Sequence, residues 1–152
     1  RTTMVIQVQE DNILEKMLLG ILSILRTLHW ELHTTHWIVN GHSFYSEHQM
    51  FSEMYLATEK HYDMIAERII GTFETQLNSL QMMKMAHHWL KTLSCECPYE
   101  RALTLETLLL KTIKECVAIC ETQMTPGIDN LLGEISDEHE KHIYFLNQTK
   151  IG

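Results

Sequence analysis

Residues 14 to 32 place Leu14, Leu18, Ile21, Leu25, Leu28 and Leu32 at successive spacings of 4, 3, 4, 3 and 4. That is the repeat of one helix face, and no strand produces it. An apolar stripe of this length has to be covered by other elements, and the rest of the chain offers only helices to do it. The first helix is expected from about residue 6 to Val39, with Asn40-Gly41 as its stop. Ser43 or Ser46 can cap a second, and Ser46 with Gln49 resembles a capping box. This helix carries Phe51, Met54, Ile65 and Ile69 on one face and is expected to end near Gly71. Residues 72 to 99 read as a long connection holding a short helix from Met82 to Lys91. Pro98 suits the first turn of a third long helix reaching about Gln123, with Leu105, Leu109, Ile113, Cys116 and Cys120 inward. Thr125-Pro126, a capping hydroxyl followed by proline, starts a fourth that runs to about Asn147 through Ile128, Leu131, Ile135 and Leu146. The chain is therefore expected to be all-α: one domain over residues 1–152, a four-helix bundle with a long middle crossover containing a short helix.

Charge narrows the partners. Twelve basic against 20 acidic side chains give a net charge of −8, which repels phosphate backbones and suits cations. DNA binding is not expected, and a DNA-compacting role would need a basic tail that these residues lack. No apolar run approaches the roughly 20 residues of a membrane span, and the first residues lack the basic-then-apolar order of a secretory leader. The four cysteines fall as Cys95-x-Cys97 and Cys116-x3-Cys120. Neither spacing is that of a zinc finger, and a chain of this size does not need disulfides. The expected location is cytoplasmic, with the cysteines mostly packing.

Ten histidines in 152 residues are the most telling count. A di-iron centre inside one helical bundle carries Glu-x-x-His on two helices. The residues three before the histidines are Arg26, Trp30, His33, Val39, Tyr45, Thr58, Lys84, Met85, Ser136 and His139. None is glutamate, so that signature is absent. The zinc-protease motif is absent too, although His139-Glu140-Lys141-His142 comes near it.

The second helix offers another set. His48, Ser52, Glu59, Asp63 and Glu67 fall on one helical stripe. At about 1.5 Å per residue, His48 and Asp63 are roughly 22 Å apart along the axis. Ligands of one ion sit about 2 Å from it, so these residues cannot share an ion within one chain. Two copies packed antiparallel about a two-fold axis near Ala57 would bring His48 to the partner's Glu67 and position 52 to the partner's Asp63. His36, late in the first helix, is close enough across the turn to complete each site. Imidazole–carboxylate sites with few ligands leave open positions for an oxidant, as non-haem iron chemistry requires. The competing reading is a solvated helix face whose spacing is accidental.

The stretch His36-Trp37, Gly41, Phe44, His48, Phe51 and Asp63-x-Ile65-Ala66-Glu67-Arg68 resembles the Dps family of miniferritins, which belong to the ferritin-like superfamily. The last helix, with Asp137-x3-Lys141-His142-x-Tyr144-Phe145-Leu146, resembles theirs as well, and the likeness spans essentially the whole chain. The resemblance implies a ferritin-like bundle assembled as a hollow dodecamer that stores ferric mineral. It implies iron oxidation at sites shared between subunits, with Fe(II) and hydrogen peroxide as substrates. His36, His48, Asp63 and Glu67 fall on the family's ferroxidase ligands, and Trp37 on the tryptophan beside them. One departure stands out: the family usually has aspartate four residues after the second histidine, where this chain has Ser52. Ser52 could act through water. Glu53 is adjacent but points about 100° away on a helix. The substitution leaves open weaker iron binding, a preference for zinc, or a cage with little turnover.

Several other groups bear on metals. His33, His139 and His142 could form a second site inside the bundle, or be hydrogen-bonded core residues. His87-His88 with Cys95 and Cys97 could bind zinc or copper, or be solvated. Glu121, Asp129 and Glu134 lie around the third-to-fourth helix turn, a region that lines a three-fold pore in ferritin-like cages; carboxylates there would draw in Fe(II). Otherwise they are ordinary surface acids.

Overall fold

The computed structural model describes residues 12–150, and they form five helices and no strand. In chain order these are α1 (Ile13–Ile38), α2 (Phe44–Phe73), α3 (Ser79–Thr92), α4 (Pro98–Ile119) and α5 (Pro126–Lys150). The expected first turns over residues 6–11 lie outside the described residues. Helices α1, α2, α4 and α5 make the bundle, and α3 rides on α1 within the long crossover. The all-α expectation holds.

The α1 stripe is the centre of the core: Leu18, Ile21, Leu25, Leu28 and Leu32 are buried against Phe51, Met54, Ile65 and Ile69 of α2 and Leu105 and Leu109 of α4. Each such side chain contributes about 1.5–3 kcal/mol by leaving water. Asn12 caps α1 by accepting from the Glu15 N–H at 3.2 Å. Gly41 has φ +97°, a backbone that suits glycine, so the predicted Asn40-Gly41 stop is where the chain turns into α2. Pro98 opens α4, and the Thr125 hydroxyl accepts from the Ile128 N–H at 3.1 Å to cap α5.

Several boundaries differ from expectation: α4 stops at Ile119 rather than near Gln123, and α5 continues past Asn147 to Lys150. Helix α2 runs through Gly71 to Phe73 and closes at Glu74, whose left-handed backbone (φ 56°) sends its N–H to the Ile70 carbonyl. Ser46 does not cap α2; its hydroxyl bonds back to the Ser43 carbonyl at 3.0 Å. The crossover helix begins earlier than Met82, because the Asn78 side chain accepts from both Leu80 and Gln81 N–H groups. Trp89 then anchors α3, its indole N–H donating to the Ser23 hydroxyl of α1 at 2.9 Å.

Candidate metal centres

His36, near the end of α1, and His48, in the second turn of α2, meet across the tight α1–α2 turn. Their rings stack at 3.6 Å between centroids and 19° between planes. Each Nδ1–H donates to the other residue's backbone carbonyl, at 2.7 Å from His36 and 2.6 Å from His48. A carbonyl can only accept, so both protons are fixed on Nδ1 and a neutral ring keeps its Nε2 lone pair for another partner. Trp37 is exposed beside them, and Phe44 lies 5.0 Å from the His48 ring.

Asp63 and Glu67 sit on the exposed side of α2, and neither is ion-paired among the described residues. They lie four and five turns beyond His48, so one chain does not bring them to the histidine pair. The middle of the same stripe is Leu56, more than half exposed, and it borders a shallow hollow with Glu59, Lys60, Tyr62 and Asp63. Ser52 is half-buried one turn after His48, and Glu53 is exposed on the adjoining face.

Inside the bundle the histidines are arranged otherwise than the sequence suggested. His33 does not join His139 and His142; its ring packs 4.2 Å from both Trp37 and Tyr55. The residue that does join them is Glu106 of α4. His139 Nδ1–H donates to Glu106 Oε2 at 2.6 Å, and His142 Nδ1–H to Oε1 at 3.0 Å. Burial pushes the Glu106 carboxyl up, but the two imidazoles outweigh it and hold it below the usual carboxylate range. His61 of α2 reaches the far side of His139, Nδ1 to Nε2 at 2.9 Å. Burial, with His139 and His142 beside it, holds His61 down at about 4, so it is neutral at pH 7. The available signal for Glu106 and His61 was position: each falls on a buried stripe, with Ala102, Leu105 and Leu109 on α4 and with Met54, Ile65 and Ile69 on α2.

Among the described residues, His87, His88, Cys95 and Cys97 do not gather into a metal-binding group. Cys97 is instead engaged locally, its N–H reaching Cys95 Sγ at 3.3 Å. Glu121 and Asp129 line one open hollow at the α4–α5 turn, whereas Glu134 lies beside Lys60, 3.9 Å from its Nζ.

Comparison with known proteins decides the family. Residues 15–150 match the sequence model of the ferritin-like domain. The chain belongs to the ferritin-like family. Within that family its relatives are Dps proteins. DNA protection during starvation protein 2 of Bacillus anthracis is 29% identical over 129 residues, covering 78% of this chain and 86% of the relative. Among solved structures, Dps from Listeria innocua superposes with a TM-score of 0.78 at 15% identity, covering 91% of this chain and 95% of that one. Dps from Vibrio cholerae O1, described as one of a broad superfamily of ferritin-like diiron-carboxylate proteins, gives 0.75 at 20% identity, covering 89% and 87%. At these identities the structures establish the Dps-type fold, and the chemistry has to be argued from this chain's own side chains. No described helix is long and apolar enough to cross a membrane.

Proposed function

We propose that this Dps-type chain is an iron-storing ferroxidase whose centres form between two copies. The reading rests on the His36–His48 pair: two imidazoles locked by mutual backbone hydrogen bonds, each with Nε2 left as a ligand. In an antiparallel α2–α2 dimer, His36 and His48 of one subunit face Asp63 and Glu67 of its partner. Leu56, exposed at the middle of that stripe, supplies apolar area at the two-fold contact. Two Fe(II) bound there each give one electron to hydrogen peroxide; with two protons the products are two Fe(III) and two waters. Asp63 or Glu67 bridges the second ion, and Trp37 stands where it can quench stray radicals. The ferric product hydrolyses and mineralises in a cage, a cytoplasmic dodecamer on this reading, with Glu121 and Asp129 drawing Fe(II) toward the pore. Glu134, turned to Lys60, has a smaller part in that path.

The test is anaerobic Fe(II) loading followed by peroxide, with ferric absorbance followed through gel filtration. Fast ferric signal co-eluting with a large cage is expected. His48→Ala or Asp63→Ala should abolish it without disturbing assembly, and a mutant cage oxidising at full rate would refute the site.

Ser52 favours a second reading, a metal-binding or structural cage with little turnover, because a hydroxyl stands where the family resemblance implies a carboxylate. Zinc would then be a fitting occupant of the same ligands. Ser52→Asp separates the two: a large rise in oxidation rate from a slow wild type supports the weakened cage, and an already fast wild type excludes it.

A further inference from the structure

The core of the bundle holds a second cluster that the inter-subunit chemistry does not use. Glu106, His139 and His142 are 0%, 0% and 1% exposed. One ligand atom from each lies within 4.8 Å of the others. Both imidazoles present Nδ1 to the same carboxylate, and each Nε2 has its own partner behind it. His139 Nε2 meets His61 Nδ1 at 2.9 Å, and His142 Nε2 lies 3.4 Å from Glu138 Oε1. Histidines that ligate metals are held in this way: one ring nitrogen faces the ion and the other is tied to an outer acceptor that fixes ring and tautomer.

Charge points the same way. A carboxylate taken fully out of water needs a compensating positive charge. The side chains that act on Glu106 are the His139 and His142 imidazoles, with no lysine or arginine among them. With the two Nδ1 protons moved to Nε2, two lone pairs and a carboxylate converge on one point. Ligand bonds of about 2.0–2.2 Å there require only a small spreading of the present 2.6 and 3.0 Å contacts.

We propose that Glu106, His139 and His142 hold one divalent transition-metal ion inside each bundle, with His61 and Glu138 as its outer shell. The two-nitrogen, one-carboxylate donor set selects zinc, cobalt(II) or iron(II) over magnesium or calcium. No proton leaves on binding when the rings start neutral: each of the three imidazoles moves its proton from Nδ1 to Nε2. His139 then donates to His61, and His142 to Glu138. The site ties α4 to α5 and, through His61, to α2. It differs from a two-iron bundle centre in offering one carboxylate and a His-x-x-His pair. It is complete within one subunit, so it stands or falls independently of the inter-subunit ferroxidase.

That independence sets the experiment. The His48→Ala/Asp63→Ala double variant, stripped by chelator, is titrated with Co(II) and then Zn(II). Binding is read from visible d–d absorption, from metal per chain after desalting, and from the thermal midpoint. One Co(II) per chain, displaced by Zn(II), with a raised midpoint, is expected. Adding Glu106→Gln, which keeps the shape and removes the charge, should weaken binding at least 100-fold, with helicity and gel-filtration volume checked alongside. Retention of no metal by the double variant overturns the proposal without any further mutant and leaves a purely hydrogen-bonded network. Undiminished binding in a folded Glu106→Gln protein overturns the ligand assignment. Loss of peroxide-driven iron oxidation in the double variant with the Co(II) site intact is the expected separation of the two centres.

Discussion

Arg101→Met should be the most informative single stability change in this chain. Arg101, in the first turn of α4, clamps Glu31 of α1 with two donors: Nε reaches Oε1, and Nη2 reaches Oε2 at 3.3 Å. Its Nη1 also donates to the Cys95 carbonyl at 3.1 Å, tying the end of the crossover to the same point. The Glu31 and Arg101 side chains are 12% and 24% exposed, so water replaces little of what the guanidinium supplies. Stranding one partner of a fully buried pair costs about 3–5 kcal/mol, and the residual exposure of Arg101 brings the expected cost below that range, to about 2–3 kcal/mol. For a domain of this size that is a fall of roughly 4–12 °C in thermal midpoint. The assay is thermal unfolding followed by helical circular dichroism at one fixed subunit concentration, because assembly shifts the midpoint. The Glu31→Met/Arg101→Met pair should recover most of the loss, within about 1 kcal/mol of wild type, since no charge is stranded. A single variant within about 0.5 kcal/mol of wild type, the range of an ordinary surface substitution, would refute the argument. So would a double variant as unstable as the single.

Two further outcomes follow from burial and capping. In the native protein Cys95 and Cys97 should react with a thiol reagent well before Cys116 and Cys120, which are buried; burial and the neighbouring Cys120 also push the Cys116 thiol up to about 12. Equal rates for all four in the folded protein would contradict this packing. Asn78→Ala removes the acceptor for two N–H groups and should cost α3 about 1 kcal/mol, read as faster amide exchange over Leu80 and Gln81 with α1 and α4 unchanged.

What the sequence made legible was local. The α1 stripe, the Gly41 turn, Pro98 at the start of α4 and the Thr125 cap each depend on neighbours a few residues away, and each is found where the pattern put it. Gly71 misled because glycine usually supplies the left-handed residue that ends a helix; here Glu74 adopts that conformation, and Gly71 stays helical. Asn78 starts α3 ahead of the expected Met82, because its side chain satisfies two free N–H groups there. The interior cluster depends on register between helices far apart in sequence. His139 and His142 stood out on an apolar face, yet only the packing of α4 on α5 brings Glu106 to them and sends His33 to Trp37 and Tyr55 instead. The stripe from His48 to Glu67 could be read in full, but its proposed partner is another copy of the same chain, which no single-chain pattern encodes beyond reciprocity.

Sharing of the centre between subunits is the central claim, and co-expression of His48→Ala with Asp63→Ala chains tests it most directly. Each variant alone should be inactive in peroxide-driven Fe(II) oxidation. With equal expression and random pairing, about half the dimers are mixed, and each mixed dimer rebuilds one site of two from the intact His48 of one chain and the intact Asp63 of the other. The account predicts recovery of about a quarter of the wild-type sites, and of the fast oxidation, in the mixed cages. Mixed cages no faster than either parent would contradict it.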